Sequence, residues 1–264
     1  MIASLPMYTS TPATVQALWG YLSAHLRGAG LRNVPDTLTW PLEMLGHWRN
    51  PSLLLSQACG YPLVTELRNQ VRVIGTFRYG VPGCQGGFCR SAMVVRHDEQ
   101  AYELSQFRDR RVAYNSLDSQ SGYNSLRALV APLAVSGKFF GQTVEAGAHR
   151  RSIEMVRDGF ADIASIDCVS LAGFEKYLPD ITRGTRVIGY SDPYPGLPLI
   201  AAAGISDSTL ATLRLILSKA MQDSTLAVIR RDLFIEGFEP LELADYQICS
   251  DMRDHANQLN CYHL

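Results

Sequence analysis

A chain of 264 residues with 47% hydrophobic content can bury a substantial core, as one large domain or two small ones. Its net charge of −1, with no basic run or basic motif, excludes a surface built for nucleic-acid backbones. No apolar run approaches the roughly 20 residues needed to cross a bilayer, so no membrane insertion is expected.

The opening MIASLPMYTS lacks both a basic n-region and a long apolar h-region, which reads as a cytoplasmic chain, with a periplasmic location as the alternative if the N-terminus is trimmed. Ile2 to Leu5 reads as a buried strand, and Pro12 opens a helix whose apolar face is Val15, Leu18, Trp19, Leu22 and Leu26. Met7 and Tyr8 then lie at the carboxyl end of the first strand, where open α/β sheets hold ligands. The pattern repeats at Leu53 to Leu55, followed by SQACGYPL and a helix around Pro62 to Leu67, which makes Tyr61 a second candidate. Val71 to Phe77 and Ser91 to Val95 read as strands. The glycine-rich RYGVPGCQGGFCR between them reads as an irregular rim or crossover loop.

The six cysteines, Cys59, Cys84, Cys89, Cys168, Cys249 and Cys261, lack the spacing of a disulfide scaffold and fit a reducing compartment. Cys84 and Cys89, with His97 downstream, raise the question of zinc. Their spacing is at the edge of the usual range and no second pair follows, so no metal and no cofactor are expected.

The chain is organised around LDSQSGYNSLRALVAP, from Leu117 to Pro132, which joins a polar turn to an amphipathic helix. Ser119, Gln120, Ser121 and Gly122 fall at the helix start, where first-turn N–H groups and about half a positive charge offer an anion site without lysine or arginine. The bland reading is a serine N-cap on a surface helix. His149 precedes the helix carrying Ile153, Val156 and Phe160, and Asp167 follows the strand Ile163 to Ile166. Both stand where a sheet presents functional groups, with capping as the alternative role of each. If the His149 imidazolium contacts an anion, affinity should rise as pH falls through about 6.5.

SDPYPGLPLIAAA reads as a linker back to the first lobe, and helical runs from Asp207 to Met221 and from Glu242 to Leu259 read as cover for that lobe's sheet. This gives an α/β chain of two lobes with mixed sheets: residues 1–95 and 198–264, and residues 96–197. Two crossings join them, a geometry suited to hinge closure.

The chain resembles the phosphate and phosphonate substrate-binding proteins of ABC transporters, the PhnD-like branch of the type 2 periplasmic binding protein fold. The likeness spans nearly the whole length and rests on SLPMY, SQACGYPL, the loop before SAMVV, SLDSQSGYNSLR, GAHRRSIEMVRDGFADIASIDCVS and PGLPLI. It implies a small anionic ligand held by Ser119, Gln120 and Ser121, with Gly122 at the same helix start. His149 would donate to it, Tyr8, Tyr61 and Asp167 would line the rest of an interlobe cleft, and a permease would be the partner. Phosphonate binders carry threonine between the two serines, where this chain has Gln120. A cytoplasmic ligand sensor, and an enzyme like the thiamine-pyrimidine-precursor synthases, are other uses of the fold. No nucleophile, base and orienting acid stand at related spacings, so no catalytic residue is assigned.

Overall fold

The computed structural model describes residues 1–8 and 10–264 and divides into two compact units. Unit 1 comprises Met1–Gly80, Gln85–Phe88 and Pro195–Tyr246; unit 2 comprises Val81–Cys84, Cys89–Tyr194 and Gln247–Leu264. Strands and helices are numbered below in chain order along the whole chain.

Unit 1 holds β1 (Ile2–Ser4), α1 (Pro12–Gly28), α2 (Met44–Trp48), β2 (Leu53–Gln57), α3 (Gly60–Val64) and β3 (Val71–Tyr79), and, late in the chain, β11 (Pro198–Ala202), α8 (Asp207–Ala220), α9 (Ala227–Asp232) and β12 (Ile235–Glu239). Its sheet runs β1-β2-β11-β3-β12, with β1 parallel to β2 and the remaining pairs antiparallel. Pro12 supplies a helical φ at a position that needs no N–H partner, and α1 buries Val15, Leu18, Trp19, Leu22 and Leu26. Each such side chain contributes about 1.5–3 kcal/mol. The stretch read as a linker contains β11, a fully buried central strand between β2 and β3. Pro198 is tolerated because it is the first residue of that strand.

In unit 2 stand β5 (Ser91–Arg96), β6 (Arg111–Tyr114), α4 (Ser125–Val130), β7 (Gln142–Glu145), α5 (His149–Arg157), β8 (Ile163–Asp167), α6 (Cys168–Tyr177), α7 (Pro179–Thr182), β9 (Thr185–Tyr190) and α10 (Gln247–Gln258). Its sheet order is β7-β6-β8-β5-β9, with β6 parallel to both β7 and β8, and β5 antiparallel to β8 and β9. The two-residue period of a strand divides its side chains between two cores. Met93, Val95, Val112, Tyr114 and Ile163 join one with Leu126 and Val130 of α4. Ala92, Val94, Ala113, Ala164 and Ile166 join the other with Ile153 and Val156 of α5. Two short strands, β4 (Phe88–Cys89) and β10 (Tyr194–Pro195), pair where the chain passes from one unit to the other.

The unit boundaries differ from the expected lobes, most of all in β5 and at the C-terminus. Residues 89–95 belong to unit 2 because β5 pairs with β8 and β9 along its length. The C-terminal helix also belongs to unit 2, so the chain passes between the units once more after Tyr246. The physical reason is Arg127 of α4, 5% exposed, whose guanidinium donates to Asn257 Oδ1 at 2.9 Å and to the carbonyls of Tyr262 at 2.8 Å, Cys261 at 3.3 Å and Arg253 at 3.4 Å. Burying this cation requires those acceptors, while Ala256 and Cys261 cluster with Ala131 and Leu264 joins the core that holds Leu126 and Val130. Of the two helical runs expected to cover the first sheet, only α8 lies in unit 1.

Candidate functional site

Because β6, β7 and β8 are parallel, their carboxyl ends share one edge of the sheet, and the segments that follow them carry Ser119 to Gly122, His149 and Asp167. This is the edge where open α/β sheets place ligands. After β6 the chain turns through Asn115 to Ser119 and enters one π-helical turn, Gln120–Asn124, before continuing as α4. Ser119 is the N-cap: its Oγ accepts from the Gly122 N–H at 3.0 Å, which leaves the hydroxyl proton to donate elsewhere. The Ser121 carbonyl accepts from Ser165 Oγ at 2.6 Å and Ser125 Oγ at 3.1 Å, which fixes the wide turn from behind. Such π turns occur mainly at functional sites.

Ser121 Oγ lies 2.9 Å from Nε2 of His149, which stands at the first position of α5. The residue is half-buried with its ring Nδ1 shut off from solvent, and desolvation lowers its pKa from 6.5 to about 4. It is therefore neutral at physiological pH, which moves the expected pH dependence: the imidazolium forms near pH 4 in the ligand-free protein, not near 6.5. Either the Ser121 hydroxyl donates to Nε2, with the ring proton on Nδ1, or Nε2–H donates to Ser121 Oγ; in both tautomers the buried Nδ1 has no hydrogen-bond partner among the described residues. Asn115 Oδ1 is a second buried orphan beside it. A Cβ on Gly122 would sit 1.8 Å from Asn115 Oδ1 and 3.2 Å from the Cε1 carbon of His149, so only glycine leaves this arrangement intact.

The other expected residues fall differently. The Gln120 amide donates to Met252 Sδ at 3.2 Å and accepts from Asn124 Nδ2 at 2.8 Å, so the side chain is engaged inside the unit and what it offers at the helix start is its backbone. Asp167, 5% exposed, caps α6 by accepting from the Ser170 N–H at 2.7 Å. Tyr8 and Tyr61, both half-buried, belong to unit 1. Tyr8 meets Tyr79 edge-on at 5.4 Å, beside a small, largely apolar hollow that also touches Gln57 and Phe77, and Tyr61 is the second residue of α3. Asn115 was missed by sequence reasoning, though its place just after a strand and before the serine run is the signal that could have found it.

Residues 9–246 match the family of periplasmic substrate-binding proteins of phosphonate ABC transporters. The chain belongs to that family, whose members bind a substrate for a transporter and are not enzymes. No curated protein sequence matches the chain. Among solved structures it is similar to a binding protein component of an ABC phosphonate transporter from Pseudomonas aeruginosa, at 15% identity over 98% of this chain and 87% of that one, with a TM-score of 0.76. It is also similar to PhnD1 from Prochlorococcus marinus in complex with methylphosphonate, at 14% identity over 97% and 98% of the two chains and a TM-score of 0.75. XAC2383 from Xanthomonas citri bound to ATP aligns over 99% of this chain and 98% of its own at 16% identity, with a TM-score of 0.73. The fold is thus the mixed α/β type 2 periplasmic binding protein fold. The family is periplasmic, which overturns the expectation of a cytoplasmic chain and with it the cytoplasmic sensor. No helix among the described residues is long and apolar enough to cross a membrane, and the family implies a permease as partner.

Proposed function

We propose that this protein captures a small phosphorus oxyanion, a phosphonate, phosphate or phosphate ester, at the helix start formed by Ser119, Gln120, Ser121 and Gly122, and presents it to an ABC permease. The observation that carries the reading is a buried, pre-arranged set of donors converging beside Gly122. The Ser119 hydroxyl, the first-turn N–H groups and the Ser121–His149 pair, which has one proton free to donate, from Ser121 Oγ or from His149 Nδ1 according to the ring tautomer, stand together there. An oxyanion consumes several donors at once, and turning over the Asn115 amide adds its N–H₂. Relatives bound to methylphosphonate and to ATP support the same ligand chemistry. Tyr8, Tyr61 and Asp167 complete the proposed contacts, and capture is proposed to proceed by closure of the two units. A smaller radius of gyration in X-ray scattering with ligand bound would register that closure.

Calorimetry with methylphosphonate, phosphate, ATP, sulfate and malate tests the reading on wild type and on the double variant Ser119→Ala, Ser121→Ala. Wild type should prefer the phosphorus ligands, and the double variant should lose about 1.5–3 kcal/mol per charge-assisted bond removed. Unchanged affinity in the double variant would move the site elsewhere, and a preference for malate would replace the ligand class.

A further inference from the structure

The glycine-rich loop between β3 and β5 brings Cys84 and Cys89 against Cys168, the first residue of α6. Cys84 Sγ is 3.0 Å from Cys89 Sγ and 3.3 Å from Cys168 Sγ, and all three sulfurs lie within 4.8 Å of one another. His97, which the sequence suggested as a companion, is not part of this cluster. We propose that Cys84, Cys89 and Cys168 form a tri-thiolate site for one zinc-class divalent cation, separate in its chemistry from the anion site.

Zinc–sulfur bonds of about 2.3 Å at a tetrahedral centre place sulfurs about 3.8 Å apart, so the two short edges need to widen by less than about 1 Å, within the reach of side-chain rotation. Three sulfurs converging at one point exceed what one disulfide uses, since any pairing would strand the third. Cys89 and Cys168 are buried while Cys84 is half-buried, which leaves a path for the ion and for a water as fourth ligand. Binding replaces S–H protons by metal–sulfur bonds and releases those protons to solvent. An ion held there ties the segments at both ends of the β4 crossing to α6, so it should raise the melting temperature by mass action on the folded state.

The test uses the full chain, reduced and stripped with a chelator, titrated with Zn²⁺ against a chromogenic competitor and with Co²⁺ as an optical probe. One equivalent should bind. Sulfur-to-cobalt charge-transfer absorption should appear, and Cys84, Cys89 and Cys168 should become protected from alkylation. Cys84→Ser and Cys168→Ser should each weaken Zn²⁺ by more than the 10–100-fold that loss of an outer-shell partner costs, a fall of over about 100-fold. The Ser119→Ala, Ser121→Ala double variant should bind Zn²⁺ as wild type does, which separates this result from the anion reading. Absence of stoichiometric binding to the reduced protein would overturn the proposal. So would affinity unchanged in both serine variants, or a Cys84–Cys89 disulfide whose reduction creates no metal affinity.

Discussion

The strand ends of the two units spend their polar groups in opposite ways. In unit 1, the end of β1 and β2 carries Ser4, bonded to Ser56 and to His47 at 2.7 Å each, and Gln57, which donates to Tyr79 Oη at 3.1 Å. These groups satisfy one another, and what remains is aromatic and apolar surface around Tyr8, Phe77 and Tyr79. In unit 2, the end of β6 and β7 leaves His149 Nδ1 and Asn115 Oδ1 buried without partners among the described residues, next to a helix start. An unmet buried polar atom costs about 1–3 kcal/mol, and a protein carries that cost where a ligand can relieve it. On the proposed function, unit 2 supplies the donors for the anion and unit 1 contributes shape selection.

The sharpest break of this contrast is Gly122→Ala. Its methyl would collide with Asn115 Oδ1, displace the helix start and cost ligand affinity about 100–1,000-fold, or about 3–4 kcal/mol, measured by calorimetry. Wild-type affinity in a folded Gly122→Ala protein would remove the helix start from the site.

Next in size is the effect of burying His149. The unfolded chain protonates this histidine below 6.5, the folded one only below about 4, so the unfolded state binds more protons in that window and stability falls as pH drops through it. The difference amounts to about 3 kcal/mol once pH is below both values. Denaturant unfolding of wild type and His149→Gln between pH 7 and 4 should show that extra loss in wild type alone. Between pH 6 and 8 the affinity for a ligand of constant charge should stay flat, and a rise centred on 6.5 would contradict the neutral imidazole.

A smaller effect is expected at Tyr61 in unit 1. Tyr61→Ala should weaken binding about 10-fold, or about 1.4 kcal/mol, while leaving the ranking of phosphate against sulfate unchanged, because it removes wall and no donor. A change in that ranking would mean that unit 1 also reads the anion. The smallest effect concerns folding. Because Ser119 Oγ caps the π turn, Ser119→Ala should lower stability by about 1 kcal/mol, whereas Ser121→Ala should leave the denaturation midpoint nearly in place.

The sequence by itself determined the elements whose signal is local. Pro12 with the apolar stripe of α1, the buried runs at Leu53 and Ile163, and the polar turn feeding α4 each follow from spacing and capping chemistry. The serines and Gly122 were legible because a helix start announces itself within a few residues. Their family likeness was legible with them.

Tertiary structure decided what depends on partners far along the chain. PLIAA reads as a linker because proline and glycine precede it, yet burial between β2 and β3 makes it a central strand. Arg127 reads as one more helix charge, yet its need for buried acceptors brings the C-terminal helix into unit 2. Cys168 stands 79 positions after Cys89, and only the ends of β4 and β8 bring their sulfurs together. His149 has an ordinary sequence context, and its neutral state follows from desolvation, a property of everything packed around it.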